Sequence, residues 1–292
     1  MLLRACGLMS ATLVLLMLGF LAWYAWPLLG RSGELLATSD WEPSSSRYGL
    51  LSMVASTLAV TLGAMLLSAP LGVASAVFAR HYAPRPVAAV QRRLVELLAG
   101  IPSVVYGFWG LITLVPWIAR WRGSGSSLLA ATLVLALMVL PTVALLSDAA
   151  LGAVPGDQAR GAAALGMGRW AAVRRVILPA AMPGILRAWL LASMRAAGET
   201  MAVLMVAGNV VRLPGDPFAP VRTLTANMAL EMGYAYGDHQ AALFFSGLLL
   251  LALVAAGALL AERLERRGAR WSMVRSEPGS DPGLAPEEAI HG

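Results

Sequence analysis

The sequence predicts an all-α, polytopic membrane protein with six transmembrane helices, and three observations carry that prediction. Of the 292 residues, 58% are apolar and only 13% are charged, whereas a soluble domain carries about 25% charged residues. The apolar residues gather into runs of roughly the 20 positions that a helix needs to cross hydrocarbon. The arginines, finally, are unevenly shared between the alternate segments that join those runs.

The runs follow in order. The first, about Leu8–Leu29, comes after a lone Arg4. It is too long for a signal-peptide core and lacks a small-x-small cleavage site, so it reads as a retained helix with Trp23, Tyr24 and Trp26 as its outer aromatic belt. A polar segment with Glu34, Asp40 and Glu42 fills the interval to Tyr48. The second run is about Gly49–Ala79 and contains Pro70. The third is about Leu94–Ile118, the fourth Ser127–Ser147, the fifth Gly184–Ala207 and the sixth Gln240–Ala261. Organisation follows from these: residues 1–48 are a first helix and outer segment, 49–262 the main transmembrane domain, and 263–292 a tail. Pro, Gly, Ser and acids enrich that tail beyond Trp271, a composition expected to be disordered.

Six spans put both termini on one side, and arginine decides which. The N-terminus, the segment around 80–93, the segment 149–187 and the tail hold fifteen of the 22 arginines, the alternate loops hold six, and Arg195 falls inside a span. Cytoplasmic segments carry the positive excess, so both termini are expected to face the cytoplasm. The net charge of +6 is then accounted for by topology and anionic lipid, without nucleic acid. There is no lysine, which excludes a phosphate-binding loop ending in Gly-Lys-Ser/Thr and any Schiff-base lysine. Cys6 is the only cysteine, and His81, His239 and His291 stand far apart; neither a metal site nor a cofactor is expected. No nucleophile-and-base pair at span depth points to an intramembrane hydrolase.

The cytoplasmic segment 149–183 has structure of its own. Pro155-Gly156-Asp157 starts a helix, residues 158–165 continue it, Gly166 and Gly168 break it, and a second short helix is expected from Arg169 to Leu178, stopping at Pro179. On that second helix Trp170, Val173 and Ile177 share a face. Two readings fit: a knob that docks a soluble partner, and an amphipathic element lying on the membrane.

Within this segment, Arg160-Gly161-Ala162, three residues, Gly166, nine residues, then Val176-Ile177-Leu178-Pro179 resembles the coupling loop of ATP-binding-cassette (ABC) importer permeases. That loop reads Glu-Ala-Ala, three residues, Gly, nine residues, Ile-x-Leu-Pro. The spacing agrees throughout; the departures are Arg160 for Glu and Gly161 for Ala. Two further runs are similar to signatures of phosphate-specific permeases: Gly100-Ile101-Pro102-Ser103-Val104-Val105-Tyr106-Gly107-Phe108-Trp109-Gly110, and Gly198-Glu199-Thr200-Met201-Ala202-Val203-Leu204-Met205-Val206-Ala207-Gly208-Asn209. Met201-Ala202 favours the PstC-like type over the PstA-like type, which reads Ala-Pro there. The resemblance implies the type I ABC importer permease (MetI-like) fold and import of inorganic phosphate across a bacterial inner membrane. As partners it implies a PstA-like permease subunit, two copies of an ATPase and a periplasmic phosphate-binding protein. Hydrolysis is expected in the ATPase, so this chain is not itself an enzyme. Permeases for molybdate or sulfate, and a stand-alone secondary transporter, are the competing readings.

Arg195 and Glu199 stand four residues apart in the fifth run. A mid-span arginine costs about 2.5–3.5 kcal/mol even on the lenient insertion scale, so neither charge is expected to face lipid. One reading is a buried ion pair that fixes helix packing. The other has Arg195 lining the path of a phosphate oxyanion, Glu199 holding Arg195 in place and Thr200 adding a hydroxyl donor. Asp148 is expected to cap or anchor a loop, and Asp216, Glu231 and Asp238 to serve as outer surface or docking residues.

Overall fold

The computed structural model describes residues 2–274. Residues 275–292, which hold most of the tail expected to be disordered, lie outside the described residues. Among the described residues, five helices are long and apolar enough to cross a membrane, and the count is six where a bent pair is taken as one span. The chain is thus the multi-pass helical protein that its composition requires.

Helix α1 (Leu2–Leu29) and the last helix, α13 (Asp238–Val274), pack side by side at the edge of the bundle. Phe20, Tyr24 and Phe244 cluster between them, with ring centroids 4.8–5.6 Å apart. Helix α13 continues through 263–274, so this part of the tail is helical: its Glu-Arg-Leu-Glu-Arg-Arg stretch is made of good helix formers that extend the span. The outer segment contains the short α2 (Ser32–Ala37) and a hairpin in which Trp41 pairs with Tyr48.

Helices α3 (Leu51–Val77) and α7 (Leu128–Gly152) form the centre. They approach closely because α3 offers glycine where α7 offers bulk. A Cβ on Gly63 would lie 2.8 Å from Thr132, and one on Gly72 would lie 2.7 Å from Val143. Close approach of small residues is how helices gain dispersion energy where lipid removes the hydrophobic drive. Both helices run unbroken through Pro70 and Pro141. Around them pack α10 (Leu178–Ala197) and the short α5 (Ser103–Trp109) and α11 (Met201–Val206).

Two of the expected spans are built differently. The third is not a straight helix from Leu94 to Ile118. Helix α4 (Arg85–Ala99) turns by 91° into Ser103–Ala119, which includes α5, a π-helical turn at Gly110–Leu114 and α6 (Val115–Ala119). Pro102 disfavours helical geometry at Ile101 and, with Gly100, sets the bend. The Tyr106 hydroxyl closes it by donating to the Leu98 carbonyl at 2.9 Å. Helix α4 is amphipathic: Val87, Val90, Leu94 and Leu97 are exposed while Gln91 and Val95 turn inward, the pattern of a helix lying in a membrane interface. The fifth span breaks at Gly198-Glu199-Thr200 between α10 and α11, so Glu199 is not on a continuous helix with Arg195.

In the segment 149–183, α8 (Gly156–Ala164) terminates as expected at Gly166, whose φ is +73°. Gly166 N–H bonds to Ala163 O and Met167 N–H to Ala162 O, the two closing bonds of a Schellman turn that glycine adopts without Cβ strain. The second helix does not stop at Pro179. Helix α9 (Arg169–Ala172) passes through a π-helical turn, Val173–Ile177, into α10, giving a continuous Arg169–Ala197. The wider turn lies just ahead of the proline, where a missing N–H and ring clash would otherwise break the helix.

The meeting of α5 and α11 gives a first prediction. A Cβ on Gly107 would lie 2.8 Å from Ala202 Cα and 3.0 Å from the Met205 sulfur, and backbone cannot move aside as a side-chain tip can. Gly107→Ala is expected to destabilise the fold by about 1–3 kcal/mol, read as a lowered Tm of the detergent-solubilised protein.

Candidate functional site: a translocation face and a coupling loop

The two signature-like runs, 100–110 and 198–209, are brought together in space. Gly107 meets Ala202, and Gly110 meets Val206 and Val134. The second run ends in a tight reversal: Gly208 and Asn209 have φ of +84° and +55°, conformations that glycine and asparagine tolerate best. Asn209 Nδ2 donates to Leu204 O at 2.8 Å, and Ser127 N–H reaches back to Val206 O. The glycines of both runs therefore serve close packing and turning.

Arg195 is exposed on α10, and among the described residues it makes no ion pair with Glu199. The expected helical pair fails because α10 ends at Ala197. Glu199 instead accepts the Ala202 N–H at 3.2 Å, capping α11, while its own carbonyl accepts from the Thr225 hydroxyl at 2.8 Å. The Thr200 hydroxyl donates to Gly198 O. Glu199 and Thr200 thus satisfy the backbone of the helix break, which is tolerated in a span only where protein supplies the partners. Sequence spacing missed a second feature: Arg187, Leu191, Arg195 and Gly198 form one exposed stripe along α10. The arginines are eight residues apart, about 12 Å of helix. A 3.6-residue plot carried through Arg187 would have found it.

In the coupling-type loop, Arg160 is exposed and pairs with Asp157 one turn earlier, Gly161 is exposed, and Ala162 is buried. Leu165, at the end of α8, is 83% exposed. Val176 and Leu178 are half-buried and Pro179 is exposed. Val173 and Ile177 join Ala76, Leu151, Ala181 and Ile185 in a core under the loop, whereas Trp170, expected on the same face, is 64% exposed. The π-turn shifts the face register after Ala172. Asp148 anchors this end as expected, but through side chains: it accepts from Arg80 Nε at 2.8 Å and Arg92 Nη2 at 3.0 Å. Gln91 donates to Ser75 O and Oγ, at 3.0 and 2.8 Å. These bonds tie α4 to both central helices.

Glu231 is not an outer docking residue. It is buried at the end of α12 (Leu224–Glu231), where its carboxylate accepts Trp41 Nε1 at 2.7 Å and Arg222 Nη1 at 2.6 Å and lies 2.9 Å from His239 Nε2. Arg222 also donates to Asn209 O and Asn227 Oδ1. Tyr48 stacks on His239 at 6.1 Å, and burial, with Asp238 adding to it, pushes the Tyr48 phenol pKa up. One carboxylate therefore ties the outer hairpin, the end of the second signature run and the start of α13. Only long-range contacts reveal this; spacing in sequence cannot.

Together these features define a polytopic membrane component with a helix break at the end of an exposed stripe that carries two arginines, and a protruding loop between two of its long helices. Residues 68–270 match the family described as "Binding-protein-dependent transport system inner membrane component", and the chain belongs to that family. Among its relatives, the "Probable ABC transporter permease protein YqgH" of Bacillus subtilis is 43% identical over 226 residues, covering 75% of this chain and 73% of the relative. The "Phosphate transport system permease protein PstC" of Mesorhizobium japonicum is 34% identical, covering 84% and 82%. Among solved structures, inward-facing MetNI methionine ABC transporter is similar with a TM-score of 0.57 at 21% identity, covering 75% of this chain and 94% of the solved one. That likeness shows a shared fold.

Removing the Glu231 carboxylate leaves the part-buried Arg222 charge without its acid. Glu231→Ala is expected to cost about 3–5 kcal/mol, measured as a drop in Tm of the solubilised protein; Glu231→Gln, which keeps one acceptor, is expected to lose less.

Proposed function

We propose that this chain is the PstC-like permease subunit of an ATP-driven importer that carries inorganic phosphate into the cytoplasm. The relatives named as phosphate transport permeases support the cargo. The observation that carries the mechanism is Arg195, without a partner among the described residues, beside a helix break whose own backbone is already satisfied. Its guanidinium is then available to substrate: it offers a fixed fork of donors that matches two phosphate oxygens. A single cationic group holds an anion firmly enough to admit it and weakly enough to release it, as conduction requires. Glu199 and Thr200 act as positioning residues that hold the break open beside Arg195.

A path lined by one exposed stripe needs a second wall, and a PstA-like permease subunit supplies it in this reading. An ATPase present in two copies docks on the loop 149–183. Leu165 and the exposed turn of α8 supply the knob, with Arg160, Gly161, Ala162 and Gly166 shaping it and Val176, Leu178 and Pro179 linking it rigidly to α10. Because α9, the π-turn and α10 form one continuous helix, a push on the loop travels along it towards Arg195. A phosphate-binding protein delivers cargo from outside. Arginine asymmetry supports cytoplasmic termini.

Uptake of labelled phosphate under phosphate limitation, in cells lacking the chain and in cells given it back, tests the cargo. Phosphate uptake is expected to fall and return while sulfate and molybdate uptake do not change; selective loss of either competitor would overturn the phosphate reading. Arg195→Ala, with the complex still assembled, is expected to lower phosphate uptake at least about tenfold, the loss of one charge-assisted contact of about 1.5–3 kcal/mol. Unimpaired uptake would remove Arg195 from the path.

A further inference from the structure

We propose that the groove between α3 and α10 binds one anionic phospholipid of the cytoplasmic leaflet. The groove has a volume of about 690 Å³ and is walled by Pro70, Val73, Val77, Met182, Ile185 and Trp189 among others. A second apolar hollow of about 790 Å³ continues from it past Pro70 and Trp189. From Pro70 to Tyr82 the groove follows α3 and the π-helical turn, Phe78–Tyr82, that extends it for about 18 Å, close to the about 15 Å of hydrocarbon in one leaflet. An acyl chain therefore fits it lengthwise.

The cytoplasmic rim supplies the headgroup chemistry. Arg174, Trp170 and Tyr82 line it, and no Asp or Glu does among the described residues. Arg174 is exposed and has no hydrogen-bond or ion-pair partner among the described residues, and the Tyr82 hydroxyl is buried without one. A guanidinium, a phenolic O–H and an amphipathic indole at the end of an apolar slot are complementary to phosphate and ester oxygens, which only accept hydrogen bonds. A transmembrane helix, whose backbone groups are satisfied internally, offers no such acceptors along its length.

The placement on α10 favours lipid again. Met182 and Trp189 lie about 120° or more round the helix from Arg187, Leu191 and Arg195, with Ala181, Ile185, Ala188 and Ala192 buried between the two faces. A second permease subunit that faces the arginine stripe leaves this groove turned outward. The lipid would brace the π-turn and α10, the segment that joins the cytoplasmic loop to the rest of the bundle.

The test is native mass spectrometry of the full chain, purified with its transport complex from bilayers containing equal amounts of phosphatidylglycerol and phosphatidylcholine. Retention of phosphatidylglycerol by each copy is expected, with phosphatidylcholine retained about fivefold or more less, as one arginine facing an anionic headgroup implies. Arg174→Glu is expected to abolish that preference and Arg174→Lys to keep it; neither alters a buried position, so folding is preserved. Ala74→Phe, which fills the groove, should lower retention of both lipids. Equal retention of the two lipids, or a preference unchanged by Arg174→Glu, overturns the proposal. So does a photoreactive side chain at position 74 that cross-links to a protein subunit instead of lipid, or the same Arg174-dependent signal from inorganic phosphate alone.

Discussion

Backbone amides and carbonyls in a membrane span have no water to turn to, so every departure from continuous helix must be closed by the protein itself. The structure is organised around two such departures. At 100–102 the chain bends by 91° and Tyr106 closes the bend on Leu98. At 198–200 the fifth span breaks, and Glu199 and Thr225 close it. Because α5 then meets α11 at Gly107 and Ala202, the two irregularities stabilise each other, and Arg195 stands exposed on α10 just ahead of the second.

The same demand explains why the charged residues fall into two groups. Those that are paired hold the architecture: Asp148 joins α7 to α4 through Arg92 and to the π-helical extension of α3 through Arg80, and Glu231 joins the outer elements through Arg222, Trp41 and His239. A buried carboxylate surrounded by donors is costly to assemble but costlier to disrupt, which makes it an effective lock between distant segments. Arg174 and Arg195 stand apart from these locks, one at each of two faces of the same helical rod. Among the described residues neither has an ion-pair partner.

One continuous helix, Arg169–Ala197, connects the loop that holds α8 to the helix break, and it contains a π-helical turn and Pro183. Its π-turn absorbs Pro179 and rotates the face register, so Val173 and Ile177 enter the core while Trp170 stays outside.

The apolar run lengths determined the helical class and the number of spans, because the thickness of hydrocarbon sets the helix length directly. Local rules also placed the Gly166 turn correctly, since a left-handed cap depends on neighbours in the chain alone. Tertiary structure decided everything that depends on distant partners. Glu199 lies four residues from Arg195 yet caps α11, because the helix that would have paired them ends at Ala197. Glu231 looks like a surface acid in sequence and is a buried hub, because Trp41 arrives from 190 positions away. Run length alone could not show that the third run is two helices at 91°: the bend is closed by the Tyr106 hydroxyl on the Leu98 carbonyl, and α4 is placed by Arg92 on Asp148 and Gln91 on Ser75, contacts with distant partners that run length does not register.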